Sequence, residues 1–296
     1  MSLNRPIWKL RDWIDIEKLN LDLLSLNINA INLLEENPEK IDWFYLSFNK
    51  NAIHILEKNI EYIFWDNLSL NQNAFKLLEG IKDKDLICWE SLSNNINAIK
   101  LIEENFENID WTAISYNKNA IHILEKNMEK IYWSNLSENK NAIHILEMNL
   151  EKIDWRYVSQ NSKAIKLLEK YPEKIVWYYL SLNKNAIHIL ERNLEKINWN
   201  NLSYNKNAIH LLEGNKDKIN WNNLSYNKNA IHLLKENQEK INWENISKNS
   251  SIFELDYEKM RINNQEMYED LIKEVMKPSR VFKDPEYDYL EELFGD

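Results

Sequence analysis

Apolar and polar positions recur along most of this chain with a single period. Tryptophan stands at 89, 111, 133, 155, 177, 199, 221 and 243, each 22 residues after the one before. Residues 199–220, WNNLSYNKNAIHLLEGNKDKIN, return almost letter for letter as residues 221–242, WNNLSYNKNAIHLLKENQEKIN. A fixed period in this range marks a repeat architecture. With the anchor numbered position 0, position 3 is Leu, Ile or Val, position 4 is Ser and position 6 is Asn. The frame starts at Leu21 and continues through Trp43 and Trp65, which makes eleven units, the last one (SKNSSIFELDY) degenerate. The step from Trp65 to Trp89 is 24, and the two extra residues fall within 80–85, GIKDKD.

Each unit predicts two short helices. The first begins at the anchor after a capping residue such as Asp42, Asp110, Asp154, Asn198 or Asn220. It is so short that one turn, α or 3-10, is all it can be. The second follows the fixed Asn, taken as its N-cap, and runs as in 119–126, NAIHILEK, with Ala120, Ile121 and Leu124 on one stripe. Asn127 and its equivalents close it, since Asn tolerates the left-handed conformation, and Pro38 and Pro172 follow such ends. Neither helix is long enough to stand alone, so stacking must supply the stability.

The expected fold is therefore all-α: a solenoid, or superhelix, over 21–255, with an N-terminal cap at 1–20 and C-terminal capping helices at 256–296. Within the last segment, 265–276 and 285–294 predict helices separated by Lys277-Pro278-Ser279-Arg280. At about 8–10 Å per packed helix, eleven units make a rod or superhelix about 90–110 Å long. Trp at every anchor is expected in the core. Trp133→Ala should then cost about 3–5 kcal/mol and Asn139→Ala about 1 kcal/mol as a lost cap.

The unit W-x-x-L-S-x-N-x-N-A-I-x-L-L-E resembles a short repeat of giant DNA viruses, over residues 21 to about 251, with a further likeness at 10–15, LRDWID. It is also similar to the leucine-rich variant repeat, which alternates an α-helix with a 3-10 helix, although Trp stands here where that family has an aliphatic residue. The resemblance implies a solenoid of viral origin, placed in the host cytoplasm or a viral factory. It carries no activity, cofactor or catalytic residue to this chain.

Composition narrows the function classes. The formal net charge of −10 disfavours a phosphate-tracking protein, so a nucleic-acid partner is not expected, although a single-stranded nucleic-acid reader is the alternative. One cysteine, Cys88, allows no intrachain disulfide. No run of about 18 apolar residues predicts a membrane span. No motif calls for a metal or a cofactor, and no catalytic constellation appears, so an enzyme is not expected.

The six histidines, His54, His122, His144, His188, His210 and His232, share one slot that Lys or Asn fills in other units. Units about 8–10 Å apart keep neighbouring imidazoles from sharing a zinc, so the row predicts a repeated polar face. Lys50, Lys118, Lys140, Lys184, Lys206 and Lys228 form a basic stripe, but Glu57, Glu125, Glu147, Glu191 and Glu213 recur seven residues after such lysines, which predicts a mixed-charge surface. The positions that vary within the frame are 1, 2 and 5. They hold Phe44, Tyr45, Phe48, Tyr116, Tyr157, Tyr178, Tyr179, Tyr204 and Tyr226. Aromatic side chains offer large contact area for little entropy loss, so these nine are the candidate surface for a protein partner. The expected role is a non-catalytic interaction scaffold.

Overall fold

A computed structural model describes residues 5–81 and 83–275. The all-α solenoid is present, with the units following one another as a regular series of short helices. Most units have three helical pieces, one more than the pattern predicts. In the sixth unit these are a first helix at Trp133–Glu138, a second at Ile143–Glu147, and, just before the anchor, a 3-10 turn at Met128–Lys130. The first helices are capped as expected: Asp42, Asp110, Asp154, Asn198 and Asn220 each accept a hydrogen bond from a backbone N–H two or three residues on. Pro38 and Pro172 open 3-10 turns, where the missing N–H is harmless.

The core is a five-rung ladder in which two rungs are polar. In the sixth unit Leu136, Ser137, Ala142 and Leu146 are fully buried and Asn139 is 2% exposed. Ser137 Oγ donates to Trp133 O at 2.7 Å and accepts from the Asp154 N–H of the next unit at 2.9 Å. Asn139 Nδ2 donates to Ser115 O and Asn117 O of the preceding unit, both at 3.0 Å, while its Oδ1 accepts from Asn141 N. The fixed Asn is thus a clamp between units, and the N-cap position of the second helix belongs to Ala142, which has no side chain to offer. Every buried side-chain polar atom among the described residues has a partner. Burial without such partners would cost about 1–3 kcal/mol per group.

The second helices end differently from expectation. Among the described residues none has a positive φ. Asn127 closes its helix at φ −138° and ψ 48°, and its Nδ2 donates to Ile123 O at 2.8 Å, satisfying a carbonyl left over at the helix end.

The tryptophans also depart from expectation, since all the anchor indoles are only half-buried. At several anchors a lysine of the following turn covers the ring: Lys130 lies 4.6 Å from the Trp111 centroid, Lys152 4.9 Å from Trp133, and Lys196 4.7 Å from Trp177. The indole is a cover at the joint between units, held partly by cation–π attraction, and the interior belongs to Leu, Ala, Ser and Asn.

The largest departure concerns the ends of the stack. Residues 10–253 form one compact unit, and within it the first repeat is bonded to the last as any repeat is to its neighbour. Asn27 Nδ2 donates to Ser247 O and Asn249 O, Asn20 N donates to Ser247 Oγ, and Asn29 Nδ2 donates to Ser250 O. Lys18 lies over the Trp243 ring at 5.2 Å. These are the same four contacts made at the ordinary joints. The solenoid, expected as a rod or superhelix between two caps, closes on itself as a ring of eleven units. Residues 16–20, IEKLN, expected to be part of an N-terminal cap, supply the 3-10 turn before the first anchor, and its Lys18 covers Trp243 as the lysines of later turns cover the tryptophans before them.

The smaller unit holds the described residues of 1–9 and 254–296. Strands β1 (Trp8–Leu10) and β2 (Phe253–Leu255) pair as a two-stranded ribbon, and Asp256 N donates to Ile7 O at 2.9 Å. One helix runs over Tyr257–Val275, starting before the predicted 265. The helix predicted at 285–294 and the break at 277–280 lie outside the described residues. No helix among the described residues is long and apolar enough to cross a membrane.

Candidate functional site: the hub of the ring

A ring of wedge-shaped units must bring one layer closer together than the other. Consecutive first helices, such as Trp43–Phe48, Trp65–Leu70 and Trp89–Asn94, lie close side by side, whereas consecutive second helices approach less closely. The first helices therefore form the hub and the second helices the rim. Positions 3 and 4 of the first helix are buried against the rim layer, which leaves positions 1, 2 and 5 on the opposite side.

The nine candidate aromatics fall into separate groups on these helices. Phe44 packs edge to face with Tyr45 and Phe48, at centroid distances of 5.3 and 5.9 Å, and with Phe64 of the next unit. Tyr179 touches both Tyr157 and Tyr178. Tyr204 lies 5.6 Å from Tyr226. Tyr116 stands apart and donates from Oη to Glu138 Oε1 at 2.7 Å; burial first, and then that carboxylate, raise its phenol well above the ordinary value. Phe44, Tyr116, Tyr178 and Tyr204 are exposed, while Tyr45, Phe48, Tyr157, Tyr179 and Tyr226 are half-buried. Between the groups position 2 is often Asn, and Asn67, Asn135, Asn201, Asn223 and Asn245 use it to donate to a carbonyl of the preceding unit. Where Tyr replaces that Asn, as in Tyr45, Tyr157 and Tyr179, the side-chain amide that makes the bond is gone.

The histidine row runs along the rim helices. Each imidazole Nε2 meets a glutamate of the preceding unit at 2.6 to 3.1 Å: His54 with Glu35, His122 with Glu103, His144 with Glu125, His188 with Glu169, His210 with Glu191 and His232 with Glu213. Lys100 in the same slot meets Glu79 at 3.4 Å. The row is a set of staples between units.

Those staples overturn the mixed-charge reading of the lysine stripe. Glu125, Glu191 and Glu213, which follow lysines by seven residues, are engaged by histidines on the second helices. The position 7 lysines lie just past the first helices, and none of their ammonium groups has a carboxylate partner among the described residues. They converge instead. A cleft of about 230 Å³ gathers Lys140, Lys184 and Lys206 with Gln160, Ser162 and Tyr204. Its walls come from units six to nine, which only a concave surface can bring to one cleft. Lys228 of the tenth unit is close enough to feel the charge of Lys50 in the second, three joints away round the ring, as well as that of Lys206 beside it. Burial first, and then those two like charges, lower its affinity for a proton below that of an ordinary lysine. Its side chain is nonetheless exposed to solvent.

A second cleft, of about 560 Å³, lies along units four to six and is lined by Glu90, Asn94, Asp110, Thr112, Ala113, Tyr116 and Asn135. The Tyr116–Glu138 bond links it to the lysine cleft, because Glu138 lines that one. Sequence reasoning passed over the hub lysines as a site. The signal available was that positions 5, 7 and 8 carry many lysines and, in all eleven units, the single carboxylate Glu138.

Compared with known protein families, with curated proteins and with solved structures, the chain has no match.

Proposed function

We propose that this chain is a non-catalytic interaction scaffold that takes a protein segment against the aromatic groups of its first helices. The observation that carries the reading is a division of labour. The frame residues are committed to joints between units: Ser and Asn to backbone groups, His to Glu, Trp to Lys. The varied positions 1 and 5 hold four exposed aromatics, Phe44, Tyr116, Tyr178 and Tyr204, with Phe44 at 44% exposure and Tyr178 at 53%, and large exposed aromatics are the anchors of protein interfaces. The repeat's resemblance to those of giant DNA viruses supports a viral origin and a place in host cytoplasm or viral factory.

The competing reading, a nucleic-acid reader with the His/Lys/Asn slot as its code, is not favoured, because the histidines of that slot are engaged by glutamates. The test is affinity capture from infected cells with the wild type and with Tyr178→Asp, Tyr179→Asp and Tyr204→Asp combined. Loss of a defined partner set in the variant, with helicity unchanged, is expected. An unchanged partner set overturns the assignment of this surface.

A further inference from the structure

We infer that the hub of the ring is a binding site for a compact, multiply phosphorylated small molecule, gripped by the belt of position 7 lysines. This goes beyond the protein-binding reading and does not depend on it.

Three observations carry the inference. The first is convergence: Lys140, Lys184 and Lys206 share one cleft, and Lys228 faces the charges of both Lys206 and Lys50. Closure of the ring brings the charges of distant units near one another, and a cleft in which one sign of charge prevails focuses the field and concentrates counter-ions. The second is the missing compensation. Positions 5 and 7 together hold seven lysines, the six of the belt and Lys248, against Glu138 alone. Glu138 is itself engaged by Tyr116 Oη at 2.7 Å and Gln160 Nε2 at 3.3 Å. Elsewhere the chain carries 47 acidic residues against 37 basic ones, so carboxylates were not scarce. Crowding like charges without partners opposes folding. A local rule broken at a stability cost is what a functional site produces.

The third observation selects the shape of the anion. All six belt lysines occupy the same register position, so they stand at one level of the hub. A small molecule with phosphates around a compact core meets such a belt from several sides at once. A threaded phosphodiester strand would need cations at successive levels. The other end of the first helices, about 9 Å away for six residues, carries Asp22, Asp66, Glu90 and Glu244 at position 1 instead. Those carboxylates repel a polyanionic chain, while a ligand confined to the lysine level lies about a Debye length from them.

The experiment is calorimetric titration of the full chain with inositol hexakisphosphate as the probe, beside unphosphorylated inositol and an oligothymidylate of similar charge. One hexakisphosphate per chain is expected, with no heat from inositol, an affinity that falls with salt, and a rise in melting temperature on binding. Lys140→Gln, Lys184→Gln and Lys206→Gln combined should weaken binding by roughly a thousandfold, since each charge-assisted contact is worth about a factor of ten. The control triple Lys58→Gln, Lys126→Gln and Lys235→Gln, away from the hub, should change it less than about threefold. Absence of hexakisphosphate binding at low salt overturns the inference. So does equal weakening by both triples, or an oligothymidylate that binds more tightly and is not displaced by hexakisphosphate.

Discussion

At the scale of the single residue, the polar rungs matter more than the indoles. Asn139 is buried and serves two carbonyls of the preceding unit, so Asn139→Ala strands both. The cost is about 2–4 kcal/mol, from roughly 1–3 kcal/mol for each group, partly relaxed. Trp133 is half-buried under Lys152, so Trp133→Ala should cost about 2 kcal/mol, below the range for a fully buried aromatic. Denaturant melts of the two variants check the order, Asn139→Ala being the worse. The sequence pattern suggests the reverse order. It identifies which positions recur, but a recurring Trp and a recurring Asn look alike as conserved spacing within one chain. Which of them is enclosed depends on where the neighbouring unit lies, and that is decided by the Asn amide itself.

At the scale of the element, the helices were legible because their punctuation is local. Asp42 or Asn198 before an anchor, and Pro38 or Pro172 after a helix, act within three or four residues. The 3-10 turn escaped notice because three residues such as Met128–Lys130 have no periodicity to display. The lysine belt escaped for a different reason: seven residues of sequence separate Lys118 from Glu125, but the structure places the first at the hub and the second against His144 on a rim helix. Because the His144–Glu125 staple is about half exposed, it contributes little, about 0.5 kcal/mol. His144→Lys should therefore be neutral within about 0.5 kcal/mol, keeping the partner as Lys100 keeps Glu79, whereas His144→Glu sets like charges together and should lower the melting temperature. Thermal melts at low and high salt separate the two, the Glu variant recovering as salt screens the repulsion.

At the scale of the whole ring, closure was not legible at all. Each joint reveals only its own bonds, and whether a stack meets its own beginning depends on a small rotation summed over every unit. The seam between first and last repeats is therefore the testable feature. Removing residues 1–19 takes away Lys18 from Trp243 and the 3-10 turn before the first anchor, leaving a stack with two complementary faces. Such faces join head to tail between molecules. Light scattering should show concentration-dependent oligomers for the truncated chain and none of that kind for the intact one. A truncated chain that stays monomeric, with unchanged helicity, means the remaining seam bonds of Asn27 and Asn29 suffice to hold it.

An open array can lengthen by copying a unit, because the added piece needs only the neighbours on either side. A circle has no such liberty. Eleven wedges share one full revolution, roughly 33° apiece, and a twelfth would leave every wedge too wide. Residues 199–220 and 221–242, nearly identical, are two such wedges side by side. Gain or loss of a whole unit would part the seam at which Asn27 meets Ser247 and Asn249.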